Sequence, residues 1–271
     1  MDFAQKSSAT AGRGLAALAL AALLTLPAAA AEPTAWDDIR ANLYGEAPLV
    51  EDGLITLEAP YRAEDAAIVP MTIRTALPDG DTRHVAKITL VIDENPSPVA
   101  AAFTLGESAG VTAISTRVRV NAYSDVHAVA ELSDGSLHVA ARFVKASGGC
   151  AAPMAKDPDA AMASLGKMKM RWFDAPETSP THASAQLMIR HPNNSGLQMD
   201  QLTRFYIPAH FVSTLTIRQG DALVLRMEGG ISISEDPNFR FDFTSNGAPL
   251  TVEAQDTEGN LFGQSFPAGG A

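Results

Sequence analysis

The chain has 271 residues, with 31 acidic against 20 basic side chains and a formal net charge of −11. So acidic a chain argues against nucleic acid and anionic membrane surfaces as partners. It carries one cysteine, Cys150, so no intramolecular disulfide can form and the fold must rest on buried apolar surface.

Residues 1–31 read as a secretory signal peptide. Lys6 and Arg13 precede an apolar run from Leu15 to Leu26, Pro27 breaks the run, and Ala28 to Ala31 offer a small-residue cleavage site. The run is roughly 12 residues, short of the ~20 that span a bilayer. No adjacent arginine pair points to the twin-arginine route, and no other segment is long and apolar enough for a span. The expected product is exported and not membrane-embedded, and is periplasmic in a Gram-negative cell. Removing the leader takes away Lys6, Arg13 and Asp2 and leaves the remainder one charge more negative.

One helix follows. Thr34 is its cap, with Asp37 three residues on, and Trp36, Ile39 and Leu43 share a face up to a stop at Gly45. Beyond it the pattern is that of strands. Pro70 marks Ala66–Thr75 as an edge strand at best. Ala86–Ile92, Ile114–Val120, Val126–Leu132 and Leu137–Phe143 alternate apolar and polar residues between turn-forming stretches. After Val144 the strand pattern stops, and Lys145 to Asp159 hold two glycines, two prolines and small residues, a linker composition. Strands resume at Lys167–Phe173, Ala183–His191, Arg204–Phe211, Thr214–Arg218, Leu223–Met227, Phe239–Phe243, Leu250–Ala254 and Leu261–Phe266. The expected fold class is all-β, two β-sandwich domains with one short N-terminal helix.

Cys150 falls in the linker, directly after Gly148 and Gly149, which loosen a backbone most. A thiol on an exposed, mobile arm can ionise, attack and enter another protein's cleft. From Phe143 the extended arm reaches ~23 Å at ~3.3 Å per residue. Lys145 is the nearby cation that would lower the thiol pKa, weakly on a mobile arm.

These features resemble a known family. Ile92 to Pro98, Thr116 to Val120, Ala128 to Ser136 and the Gly148-Gly149-Cys150 arm are similar to the Y subunit of the Sox sulfur carrier. Gly166-Lys167-Met168, His191-Pro192 with Ser195-Gly196, Asp236 to Phe239 with Phe241, and Asp256 to Gly259 are similar to its Z subunit. The resemblance runs in order along nearly the whole mature chain. It implies two immunoglobulin-like β-sandwich domains, Y-like at 32–146 and Z-like at 163–271, joined by a Gly-Gly-Cys arm and linker at 147–162. The two domains would pair within the chain. Cys150 would be the carrier residue, holding sulfur intermediates as covalent S-adducts, with Gly148 and Gly149 as its hinge. The carrier would not be an enzyme and would need no cofactor or metal. Its partners would be periplasmic sulfur-oxidising enzymes or c-type cytochromes. The family's Y subunit ends in Gly-Gly-Cys-Gly-Gly, whereas here Ala151-Ala152-Pro153 follow and the chain continues, so the arm is tethered at both ends. This arrangement resembles fused carriers found beside quinoprotein dehydrogenases, for which thiosulfate need not be the cargo.

Two other functions fit the residues. One is a non-catalytic accessory or interaction protein for a periplasmic PQQ-type dehydrogenase, with Cys150 incidental. The other is Cu(I) delivery through the soft donors Met154, Met162, Met168 and Met170 near Cys150, against which stands simple strand packing of Met168 and Met170. His127 and His138 flank a hairpin and would be metal neighbours only if they face each other across it. Asp93-Glu94 and Glu235-Asp236 read as turn residues. Arg117 and Arg119 share a strand face, either meeting an anionic cargo or partner or simply solvated. No Ser-His-Asp motif, phosphate loop, CxxC or CxxCH motif is present, which argues against an independent enzyme.

Overall fold

A computed structural model of the protein describes residues 34–153, 158–173 and 182–269. The leader expected at 1–31 lies outside these residues, as do Met154 and part of the linker. Helix α1 (Ala35–Tyr44) begins with the expected capping box, in which Thr34 and Asp37 exchange hydrogen bonds, and ends at Gly45 with φ +60°. Eight strands follow: β1 (Leu49–Val50), β2 (Ile55–Glu58), β3 (Val69–Thr75), β4 (Val85–Ile92), β5 (Val99–Leu105), β6 (Ala113–Val118), β7 (Ser124–Leu132) and β8 (Leu137–Val144). The second half holds α2 (Pro158–Ala163), β9 (Met168–Phe173), β10 (His182–Ile189), β11 (Val212–Gln219), β12 (Ala222–Gly229), β13 (Asn238–Thr244), β14 (Leu250–Asp256) and β15 (Leu261–Phe266). Among the described residues no helix is long and apolar enough to cross a membrane.

The protein is all-β, with two immunoglobulin-like β-sandwich halves, and both of its sheets run through both halves. One sheet has the order β1-β8-β7-β4-β5-β12-β11-β14-β15, the other β2-β3-β6-β13-β10-β9. The halves join where β5 pairs antiparallel with β12, Phe103 opposite Met227, and where β6 pairs antiparallel with β13, Ile114 opposite Phe241. Gly106 permits the first junction, because a Cβ there would lie 1.8 Å from the Leu223 carbonyl oxygen. One apolar cluster fills the space between the sheets and draws on both halves. Phe103 meets Phe239 edge-on within it, ring centroids 6.2 Å apart, and both are fully buried. On the outer face of the larger sheet, Trp36 of α1 stacks on the His127 ring at 3.7 Å.

Two strand expectations are corrected. β3 is not an edge strand: it lies between β2 and β6. β2 pairs with it only from Thr72 to Thr75, however, so Pro70 sits in the stretch paired on one side, where its missing N–H costs no ladder bond on the open side. Arg204–Phe211 is not a strand. It is a loop with isolated bridges at Tyr206 and His210, and Arg204 takes φ +64°, which no ladder accommodates.

A shared core should unfold as one unit. Phe103→Ala and Phe239→Ala are each expected to cost about 3–5 kcal/mol in urea denaturation. In both variants tryptophan fluorescence and far-ultraviolet circular dichroism should follow one coincident transition. Two separate transitions, only one of them shifted, would contradict the continuous core.

Candidate functional site around Cys150

Strand β8 delivers the chain to Lys145, which is fixed to the loop before β3. Its N–H donates to the Tyr61 carbonyl (2.8 Å), its carbonyl accepts from the Ala63 N–H (3.1 Å), and Nζ lies 4.9 Å from the centre of the Tyr61 ring. The expected role of Lys145 beside the thiol is therefore replaced by a cation–π contact to Tyr61.

The two glycines that follow do not loosen the chain; they let it seat. Gly148 takes φ +76°, a left-handed conformation that side chains disfavour, and its N–H donates to Asn121 O (2.8 Å). Gly149 presses so closely on the strand end that a Cβ would lie 2.0 Å from Ala66 O and 2.7 Å from Val120 O. Its N–H donates to Val120 O (3.1 Å), and the Ala151 N–H closes the turn onto Gly148 O (3.2 Å). Cys150 is fully buried, which corrects the expectation of an exposed, mobile thiol.

Side chains from both halves hold the carbonyls of this turn. Arg119 Nη1 donates to Gly149 O (3.2 Å), Ser195 Oγ makes a short bond to Cys150 O, and Gln198 Nε2 donates to Ala152 O (3.0 Å). Gln198 Oε1 also accepts from the Ser195 N–H (3.0 Å), so the two clamping residues fix each other. Asn95 ties the strand end to the second half, donating to both Arg119 O and Ser232 Oγ at 2.8 Å.

Arg119 is only 1% exposed. Its Nη2 donates to Asn193 O (3.4 Å) and its Nε is buried without a hydrogen-bond partner. Among the described residues no carboxylate is bonded to it. Burial lowers its pKa, while the fields of Cys150, Glu235 and Asp65 oppose the shift. Burial likewise pushes the Cys150 thiol up, and the Arg119 guanidinium pulls it back. The two groups thus share one low-dielectric compartment, in which the cation would be paired by a thiolate or another anion on the sulfur. Arg119 was visible in the sequence only as one member of an alternating pair; its burial depends on the second half of the chain.

The loop that supplies Asn193, Ser195 and Gln198 is itself anchored by a buried cluster. Asp256 Oδ2 meets His210 Nε2 (2.8 Å), His191 Nε2 (3.4 Å) and the Asn260 amide (2.8 Å). The side chains of His191, His210 and Asp256 have ligand atoms within 4.8 Å of one another. The Asn193 N–H, however, donates to His191 Nδ1 (3.1 Å). In a neutral ring that leaves the proton on Nε2, facing Asp256, with no lone pair there for a metal. The cluster is best described as a hydrogen-bonded hub that fixes the loop. The two hairpin histidines are separated: His127 faces Asp93 (3.0 Å) and His138 faces Asp52 (3.1 Å), and they are not opposite each other in the ladder. Met168 and Met170 pack on the core from β9, while Met162 is 49% exposed.

The hub makes stability pH-dependent. Burial, the largest effect, lowers the His191 pKa from 6.5 to about 4. A depressed folded-state pKa means the unfolded chain binds the proton first as the pH falls. The contribution is therefore complete above about pH 6.5 and is lost as the pH drops towards 4. Urea midpoints measured across that window should fall, and His191→Gln should flatten that part of the profile.

Residues 40–150 match the family model for sulfur oxidation protein SoxY, and residues 162–267 match that for sulphur oxidation protein SoxZ. Among solved structures, the sulfur carrier protein SoxY from Chlorobium limicola f thiosulfatophilum is 29% identical, covering 41% of this chain and 90% of its own, with a TM-score of 0.33. A superoxide reductase (neelaredoxin) from Ignicoccus hospitalis is 11% identical over 34% of this chain and 77% of its own, with a TM-score of 0.30. No curated protein matches the sequence. With both family models matched in tandem, the chain belongs to the SoxY and SoxZ families as a fused SoxYZ-like sulfur carrier.

Proposed function

We propose that Cys150 is the covalent attachment point of this carrier, holding sulfur intermediates as S-adducts and presenting them to partner enzymes. The observation that carries the proposal is the placement of the chain's only thiol beside Arg119, a buried guanidinium bonded to carbonyls and not to a carboxylate among the described residues. An anionic group on the sulfur would give the guanidinium a counter-charge closer than the fields of Glu235 and Asp65. Joining the Cys150 thiolate to an anionic sulfur compound forms an S–S bond and releases two electrons, which a c-type cytochrome or another redox partner would accept. Gly148 and Gly149 act as the hinge on which the adduct leaves its seat. The domains are taken as 32–146 and 163–271, with the arm between them, and the place of action as the periplasm. The partners are sulfur-oxidising enzymes or a quinoprotein dehydrogenase.

Delivery requires the turn to open. The hydrogen bonds from Arg119, Ser195 and Gln198 must break, at about 0.5–1.5 kcal/mol net each. The seated form therefore dominates until a partner or a bulky adduct shifts the balance.

The full burial of Cys150 favours a second reading, an accessory protein for a dehydrogenase in which the cysteine only packs. Intact mass of the native protein, with and without reductant, separates the two. The carrier predicts a reductant-labile mass increase on Cys150, absent in Cys150→Ser, and loss of sulfur oxidation in cells carrying that variant. An unmodified native chain, with Cys150→Ser fully functional, would favour the accessory reading.

A further inference from the structure

A second cationic feature lies outside the Cys150 site. A cleft of about 510 Å³ opens where the ends of β9 and β10 meet Arg117 of β6. Four of its lining residues are cationic, Arg117, Lys167, Lys169 and Arg190, against one carboxylate, Asp236. In a chain with 31 acidic and 20 basic side chains, such a cluster runs against the overall balance.

The arrangement works against itself unless an anion enters. The Arg190 N–H donates to Lys167 O (2.8 Å), so two cations are neighbours across the strand ends, a like-charge placement that destabilises a sheet. Asp236 is engaged by Arg190 through Nη1 and by the His191 N–H, and its carbonyl accepts from Arg117 Nη2 (3.1 Å). Among the described residues Lys167 and Lys169 make no ion pair. Arg117 is half-buried, with a buried Nε that has no hydrogen-bond partner, and burial lowers its pKa against the field of Glu235.

We propose that this cleft binds a small inorganic dianion of the sulfate, thiosulfate or phosphate type. Lys167, Lys169 and Arg117 supply the charge. Asn238 adds a neutral amide to the lining, its Oδ1 accepting from Gln186 Nε2 (2.7 Å). None of the described lining residues is aromatic, so nothing there stacks a nucleotide base, which favours a simple oxyanion. Arg117 comes from the first half and the other cations from the second, so the cleft exists only because β6 and β13 share a sheet. The site does not depend on Cys150 as carrier.

Isothermal titration of the full chain with sulfate, thiosulfate and phosphate, ionic strength held constant with chloride, tests the proposal. Saturable one-to-one binding is expected, weakened about tenfold in the double variant Lys167→Gln/Lys169→Gln, which removes two of the cleft's four cations. Both lysines are exposed, so this variant should fold normally. Cys150→Ser should bind as the parent does. Preference for thiosulfate would mark a sulfur-compound site, and equal affinities a general dianion site. Heats indistinguishable from those with chloride, or a double variant that binds as tightly as the parent, would overturn the proposal.

Discussion

Two ladders of main-chain hydrogen bonds, β5 with β12 and β6 with β13, constrain everything else in the protein. They turn two sandwich halves into two continuous sheets over one core. They also bring the strand end at 117–121 against the loops at 191–198 and 232–236 of the other half. The turn at 148–151 lies in the angle between them and is held by both. A separate pair of chains would have to associate before such a seat existed. Within one chain the second half is present at high effective concentration, so the seat forms as part of folding.

The seat gives the two glycines different jobs. Gly148 supplies a left-handed torsion, and Gly149 supplies a surface without a Cβ where two carbonyl oxygens come close. In the proposed carrier role the same residues would also permit release, because neither restricts the backbone once the hydrogen bonds break. Burial protects the thiol from stray oxidants and, by desolvation, holds it in the neutral form. Arg119 acts in the opposite direction and becomes better satisfied when the sulfur carries negative charge.

Much of the fold was legible in the sequence. Thr34 and Asp37 announce the helix because a capping box is local, and β4 and β6 to β15 follow alternation or apolar runs bounded by turns. β5 was not legible: Val99 to Leu105 holds three consecutive alanines and its outward face carries only one polar residue, Thr104, so the sequence shows no apolar–polar alternation. Pro70 misled because strand pairing can be one-sided along part of a strand. At the site, Cys150 and its glycines stood out, but their composition suggested exposure while their contacts produce burial. Arg119, Ser195 and Gln198 are joined to Cys150 only by tertiary contacts across the two halves, which spacing along the chain does not reveal. The Ser195-Gly196 stretch was singled out by resemblance alone, without a role.

The central claim is that Cys150 is seated yet releasable, and its alkylation rate in the native chain tests this most directly. Reaction is expected to be far slower than in urea, and to quicken in Ser195→Ala and Gln198→Ala by more than their loss of global stability, measured in parallel by urea denaturation, accounts for. A native thiol that reacts as fast as the unfolded one would contradict the seat. A rate that tracks global unfolding and ignores both substitutions would contradict the release.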